Sequence, residues 1–332
     1  MTTKDHETTP LLEVRGLSKE FPVGHFLNPK KVHAVEDASF AVKRGQVVAL
    51  VGESGSGKTT TLRMIARLIP VTRGEIFFKG TNVVKSEPRQ ASLDYRRQVQ
   101  YIFQDPFASL NAVHTIEHHL ARPLIIHKKA FGRQEVHEHV CDLLETVELK
   151  PADVIASRYP HQLSGGQRQR VAIARALAVD PELILADEPI SMLDVSIRMG
   201  VLNLIHRLKE ERGISFIYIT HDLASARYIG DDIIVMYASH MVEGGSSDAI
   251  MSQSTHPYTK LLLSAVPDPR ASLRTDKNGK ARGEVPSLID PPPGCPFAAR
   301  CPYVKPVCRK VMPAPVTVAE NHWVRCHLLA GK

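Results

Sequence analysis

Gly52-Glu53-Ser54-Gly55-Ser56-Gly57-Lys58-Thr59 has the form G-x-x-x-x-G-K-[ST], the phosphate-binding P-loop. An apolar run, Val47-Val48-Ala49-Leu50-Val51, precedes it, and a helical pattern, Thr60-Thr61-Leu62-Arg63-Met64-Ile65-Ala66, follows. Strand, loop and helix in this order are the context in which the motif carries meaning. The glycines let the backbone curl until several N–H groups face phosphate oxygens. The helix start adds the positive end of its dipole. Lys58 is positioned to reach the β- and γ-phosphates, and the Thr59 hydroxyl to ligate Mg²⁺.

Outward from the loop, strands and helices alternate. Leu11–Val14 and Ala38–Val42 read as strands on either side of a Pro- and Lys-containing loop. Short strands follow at Glu75–Phe78 and Val99–Phe103. Residues from about 106 to 180 read as mainly helical, with Val136, Val140, Leu143, Leu144 and Val147 at helical spacing in Arg133–Leu149. Strands are predicted again at Leu183–Ala186, Ile214–Thr220, Ile233–Tyr237 and His240–Glu243, and helices at Ser196–Gly213 and Pro257–Val266. Such βα alternation predicts a largely parallel sheet covered by helices. Beyond Pro267 the composition changes. Eleven of the 23 prolines lie in residues 267–332, which argues against long helices or central strands there. The reading is an α/β main domain over residues 1–266, with a helical subdomain at about 107–180, and a Pro/Cys-rich tail over 267–332.

The chain has 332 residues, 43% of them apolar, enough for one large domain and an appendage. Its formal charge of +7 is spread along the sequence, which is the pattern of ordinary solvated surface. Nucleic acid is therefore not an expected partner. No run approaches the ~18 consecutive apolar residues of a membrane span. Met1–Glu7 lacks the apolar core of a signal peptide, so a cytoplasmic location is expected.

Further segments narrow the chemistry. Leu183-Ile184-Leu185-Ala186-Asp187-Glu188 is an apolar strand ending in two acids. Asp187 suits a Walker B role in holding Mg²⁺, and Glu188 suits a base that polarises attacking water. Leu163-Ser164-Gly165-Gly166-Gln167 stands just before a helical pattern, where Ser164 and the glycines can present a hydroxyl and N–H groups to an anion. Taken together with the P-loop, these segments resemble the motif set of ATP-binding-cassette (ABC) ATPases.

That resemblance extends over roughly residues 11–250. It implies a P-loop ABC ATPase fold with a mainly parallel sheet, an antiparallel β subdomain and a helical subdomain. It implies that Phe21 stacks on adenine and that Gly52, Ser54, Gly55, Gly57, Lys58, Thr59 and Thr60 bind nucleotide. Ser164, Gly165, Gly166, Gln167 and Asp194 would complete the nucleotide site of a second domain paired head to tail. Gln104 in Phe103-Gln104-Asp105-Pro106 matches the Q-loop glutamine, which touches Mg²⁺ or the water. Ser191-Met192-Leu193-Asp194 matches the D-loop, with Met192 where the family usually has a smaller residue. His221 matches the switch histidine, and Glu188, His221 and Gln104 are the implied catalytic set.

Within the family, Phe103–Asn111, His256-Pro257-Tyr258-Thr259-Lys260-Leu261-Leu262 and the cysteine-bearing tail are similar to ATPase subunits of oligopeptide/dipeptide importers. This implies two transmembrane permease subunits, a second ATPase subunit (homo- or heterodimer), an extracytoplasmic solute-binding protein and a place on the cytoplasmic face of the membrane. Nickel, oligosaccharide and glutathione-like compounds are alternative cargoes of the same motor. A soluble ABC ATPase of DNA repair or translation is the competing class. Those proteins usually carry two cassettes or a long coiled coil, and neither is evident here.

Cys295, Cys301, Cys308 and Cys326 are spaced C-x₅-C-x₆-C-x₁₇-C, without the C-x₂-C pair of common zinc sites. Four thiolates suit a [4Fe–4S] cluster, which similar tails can hold. Zn²⁺ is the alternative, and four free thiols the third reading. Cys141, in a predicted helix, reads as core packing.

Overall fold

The computed structural model describes residues 9–24, 30–265 and 286–329. Met1–Glu7, Val266 at the end of the predicted helix, and the first part of the Pro-rich stretch lie outside the described residues. The chain divides into two compact units. One is drawn from Met1–Lys43, Val47–Pro88 and Ile219–Lys332, the other from Arg44–Gln46 and Arg89–Tyr218.

The first unit contains an antiparallel sheet in the order Lys30–Val42, Leu12–Val23, Arg73–Phe78, Thr81–Asn82. Leu12, Val14, Leu17, Val35, Ala38 and Val42 supply its buried face. The two long strands run well past their predicted ends. Register shifts between Val14 and Leu17, Leu17 and Lys19, and Lys19 and Glu20 break the alternation that would have revealed them in the sequence.

A parallel pair in the same unit joins Val47–Val51 to Asp232–Tyr237, with Val48 opposite Asp232 and Val51 opposite Val235. All five residues of Val47–Val51 are buried, which is why the segment reads as an unbroken apolar run. Asp232–Tyr237 turns back into His240–Ser246. The turn residues Ala238 and Ser239 have φ of 41° and 73°, the double positive φ of a tight hairpin that matches strand twist. Neither is Gly or Asn. The conformation is secured by bonds to the rest of the unit: Ser239 N–H donates to Ser56 O at 3.2 Å, and Glu36 N–H to Ser239 O at 2.9 Å.

The tail adds to this sheet. His322–Val324 pairs antiparallel with His240–Ser246 on one side and with Val316–Ala319 on the other. A doubly paired strand was not anticipated for a Pro-rich segment. It occurs because the last proline is Pro315, and the residues after it are free to donate. Buried Glu243 accepts from His322 Nε2 at 2.9 Å and from the N–H groups of Thr255 and His256 at 2.7 and 3.1 Å.

In the second unit, Val99–Ile102 runs parallel to Leu183–Asp187, with Val99 opposite Leu183 and Ile102 opposite Ala186. The part of the strand Ser215–Thr220 that belongs to this unit lies beside Leu183–Asp187. The predicted helical region contains Pro106–Ser109, Ile116–Ile126, Arg133–Thr146, Ala152–Ser157 and Gly165–Leu177. Val195–Arg212 follows, ending at Gly213 in the left-handed conformation (φ 63°). Among the described residues no helix is long and apolar enough to cross a membrane.

His256 supplies a pH dependence. It is 1% exposed, and its Nδ1 accepts the Tyr258 N–H at 3.1 Å, capping the helix Pro257–Ser264. Burial pushes its pKa from 6.5 down to about 4. Above 6.5 the imidazole is neutral in both folded and unfolded chains. Between 6.5 and about 4 only the unfolded chain takes up the proton, so stability falls as pH falls, by on the order of 3 kcal/mol across the window. His256→Asn keeps a capping acceptor and removes the titration. Urea unfolding at pH 7.5 and pH 5 is expected to show a smaller acid loss for this variant than for the wild-type chain.

Candidate functional site

The loop after Val47–Val51 closes around its own lysine. Lys58 is 4% exposed, and its Nζ donates to Gly52 O at 2.7 Å, Glu53 O at 2.9 Å and Ser56 Oγ at 3.4 Å. Lys58 also opens the helix Lys58–Ile65, whose N-cap, Gly57, has φ 101° and offers no side-chain cap. The N–H groups of this first turn therefore face the loop, where an anion can accept from them. A Cβ at Gly57 would lie 2.4 Å from Ala34 O, and one at Gly52 would lie 2.1 Å from Met236 O. Only glycine fits at either place. Ser54 and Gly55 are exposed at the loop tip, while Thr59 and Thr60 are half-buried behind it.

Two other sequence-predicted residues belong to the same unit. Phe21 is 37% exposed, and Lys19 Nζ lies 4.8 Å from its ring centroid. His221 is exposed at the end of the strand Ser215–Thr220. It sits on a turn built by its neighbours: Asp222 N–H donates to Thr220 Oγ1 at 3.0 Å, and Asp222 caps the helix Leu223–Ile229 through the N–H groups of Ala224 and Ser225.

The acidic pair lies in the second unit. Asp187 is 3% exposed, and Tyr101 O–H donates to its Oδ2 at 2.7 Å. Glu188 follows with φ 45°, a left-handed backbone that costs a non-glycine residue energy. Ser191 holds it there, donating through N–H at 3.1 Å and Oγ–H at 3.0 Å to Glu188 O. The Glu188 carboxylate accepts from Gln104 Nε2 at 3.0 Å. Gln104 and Glu188, 84 residues apart, are thus brought together. Tyr101 was missed in the sequence; its only signal is a phenol in an otherwise strand-like run.

Ser164 caps the helix Gly165–Leu177 reciprocally with Gln167: Gln167 N–H donates to Ser164 Oγ at 3.3 Å, and Ser164 N–H donates to Gln167 Oε1 at 3.0 Å. A Cβ at Gly165 would touch Leu193 at 3.8 Å, and one at Gly166 would lie 2.5 Å from Ile197 Cγ2. This glycine pair therefore packs against the segment carrying Asp194, which is exposed at the start of Val195–Arg212. Met192 is 55% exposed, beside the buried Leu193.

The four tail cysteines gather without forming a ligand group. Cys295 N–H donates to Cys308 O at 2.8 Å, and Cys308 Sγ accepts from Lys305 N–H at 3.4 Å. Burial, with the other three thiols adding to it, pushes Cys295 up to about 11; Cys301 is raised by burial with Cys326 and Cys308, and Cys326 by burial with Cys308 and Glu243. All five cysteines are free. Among the described residues no three His, Cys, Asp or Glu are arranged to hold a metal ion, so the arrangement of the thiols does not support the metal reading. Cys141 is half-buried, with Sγ 3.7 Å from His137 Nε2, not wholly within the core.

The sequence profile described as ABC transporter matches residues 35–191, and that described as the oligopeptide/dipeptide transporter C-terminal region matches residues 242–308. The chain is 44% identical over 315 residues to the dipeptide transport ATP-binding protein DppF of Haemophilus influenzae, covering 94% of this chain and 95% of that one. This chain belongs to the ABC transporter ATP-binding proteins. The oligopeptide transport ATP-binding protein AppF of Bacillus subtilis is 42% identical to this ABC ATPase over 333 residues, covering 99% of each. Among solved structures, a dimeric post-hydrolysis state of the ATP-binding cassette MJ0796 bound to ADP and phosphate has a TM-score of 0.62 at 29% identity, covering 71% of this chain and 98% of that one. The ABC ATPase hydrolyses ATP to ADP and phosphate.

The contact at Gly52 gives a direct test. In Gly52→Ala the new methyl meets a backbone oxygen and the loop must shift, at a cost of about 1–3 kcal/mol. ATP binding is expected to weaken more than tenfold while the chain still folds, as read by nucleotide titration beside a thermal melt.

Proposed function

We propose that this ABC ATPase powers import of di- and oligopeptides through membrane permease subunits. The observation that carries this reading is the likeness, over nearly the whole chain, to proteins named for dipeptide and oligopeptide transport. In this reading residues 1–266 are the motor and 267–332 a tail belonging to the transporter type. The protein works at the cytoplasmic face of the membrane as one of two paired ATPase chains, with a solute-binding protein delivering cargo outside.

The residues take the following roles. Phe21 stacks on adenine. Gly52, Ser54, Gly55, Gly57, Lys58, Thr59 and Thr60 bind the polyphosphate. Ser164, Gly165, Gly166, Gln167 and Asp194 serve the nucleotide held by the partner chain. Thr59, Gln104 and Asp187 would hold Mg²⁺, which when bound neutralises phosphate charge; the buried Asp187 carboxylate and the Thr59 hydroxyl are the hard oxygen donors it prefers. Glu188 accepts a proton from water as its oxygen attacks the γ-phosphorus and the bond to ADP breaks. Gln104 orients that carboxylate, and His221 donates to the γ-phosphate. Rate enhancement comes from positioning and charge stabilisation, with no covalent intermediate.

Coupling to the permease is assigned to Phe107–Asn111, next to Gln104. Supporting it, Arg175 of the helix Gly165–Leu177 donates through Nη1 to Ser109 O at 2.7 Å. A shift at the Ser164 end of that helix is therefore felt at the proposed docking segment. The four tail thiols are the proposed ligands of a [4Fe–4S] cluster, with Zn²⁺ as the other metal that four thiolates suit. Iron with acid-labile sulfide in anaerobically purified protein supports the cluster, stoichiometric zinc replaces it, and neither leaves free thiols.

Glu188→Gln is expected to retain ATP binding and lose at least about a hundredfold in turnover. Cells carrying it in place of the wild-type chain are expected to lose uptake of labelled di- and oligopeptides. Unchanged uptake with the variant assembled would remove the peptide cargo, and wild-type turnover would remove the role of Glu188.

A further inference from the structure

Glu53 is the single acidic residue of the nucleotide loop, a negative charge placed beside a site for polyphosphate. Its charge is met from 247 residues away. Arg300 Nη1 donates to Glu53 Oε1 at 3.1 Å and to Oε2 at 3.0 Å, and to Tyr237 O–H at 3.1 Å. The Arg300 side chain is 10% exposed and that of Glu53 31%. The guanidinium carbon lies 5.5 Å from the Tyr237 ring centroid and 5.8 Å from that of Phe297. Tyr258 adds a second hold: its phenol oxygen accepts the Glu53 N–H at 3.0 Å. Tyr237, Tyr258 and Phe297 are buried and mutually in ring contact, with centroids 4.5, 5.2 and 5.5 Å apart.

Neither hold comes from the nucleotide motif. Tyr258 belongs to the helix Pro257–Ser264, and Arg300 to the loop between Cys295 and Cys301. Both converge on the residue whose carbonyl also accepts from Lys58. The geometry points to Arg300 as a positioning residue for ATP: it pins and neutralises Glu53 so that the loop receives a polyphosphate, and the cysteine-bearing tail thereby sets nucleotide affinity. This rests on the P-loop reading given under Proposed function.

The proposal differs from a purely structural anchor in the sign of charge. Loss of Arg300 leaves an unneutralised carboxylate on the nucleotide loop, and a single such charge within a Debye length alters affinity by about three- to tenfold. ATP titration and steady-state turnover of the full-length chain test it. Arg300→Ala is expected to weaken ATP binding and raise KM by about five- to tenfold, with kcat lowered less than about twofold. Arg300→Lys restores most of the loss. Adding Glu53→Gln to Arg300→Ala brings ATP binding back to within about twofold of wild type, because the repelling charge has gone. Glu53→Gln alone tightens ATP by about twofold or more, since Arg300 is then uncompensated. A double variant as weak as Arg300→Ala overturns the proposal and leaves tail packing as the role. So does wild-type affinity in Arg300→Ala. If Arg300→Ala does not fold, Glu53→Gln decides: unchanged or weakened ATP binding overturns the proposal. Lys58→Ala is the control for the underlying reading. Wild-type ATP binding in that variant removes the P-loop assignment itself, whatever Arg300 does.

Discussion

A buried ammonium is the constraint around which the nucleotide loop is organised. Lys58 is almost wholly removed from water, and an uncompensated charge in that position would be costly. The compensation comes from carbonyls of the same loop, at Gly52 and Glu53. For those carbonyls to point inward, the chain must leave the buried strand Val47–Val51 in a tight curl, and the curl must pass within contact of Met236 O and Ala34 O. The need for glycine at positions 52 and 57 follows from this crowding. The loop thus has its shape without a nucleotide, and in the proposed reading a phosphate group would supply anionic acceptors to a lysine that already faces the loop. Preorganisation of this kind lowers the cost of charge stabilisation during reaction.

The second unit holds its acids by a different device. Asp187 ends a fully buried strand and is satisfied by a phenol. Glu188 is turned out of the strand line by a left-handed backbone that Ser191 secures. Adjacent carboxylates thereby acquire different surroundings, one enclosed and hydrogen-bonded, the other half-buried beside a side-chain amide. Two acids consecutive in sequence are in this way separated in chemistry.

Much of this was legible in the residues. The P-loop, the acidic strand end and the Ser-Gly-Gly-Gln cap are local patterns whose geometry is set within a few residues, and the structure places them in the expected strand, loop and helix settings. The helical stretch was readable because Val136, Val140, Leu143 and Leu144 share a face. Where reading stopped short, distance or irregularity was responsible. Bulges hid the outer halves of Leu12–Val23 and Lys30–Val42. The Tyr101 bond to Asp187 spans 86 residues and the Arg300 bond to Glu53 spans 247, so no window of sequence contains either pair. Among the described tail residues, proline content suited 286–315, which hold no long helix or central strand, and failed at the end, since His322–Val324 pairs on both sides once the prolines cease. The gathering of four thiols was legible as a donor set, but spacing alone did not define their mutual geometry.

The strand His322–Val324 has a colloidal consequence. His240–Ser246, with its paired glycines, would otherwise present an open row of donors and acceptors, and such a row invites docking by strands of other molecules. The tail occupies that row and passes the exposed margin to Val316–Ala319, a four-residue strand bounded by Pro315 and Glu320. A short margin closed by an imino acid and a charge is a poor template for further pairing. The C-terminal segment thus also acts as a guard against self-association, and chains that lose it in synthesis or by proteolysis become candidates for aggregation even with every nucleotide-binding residue intact.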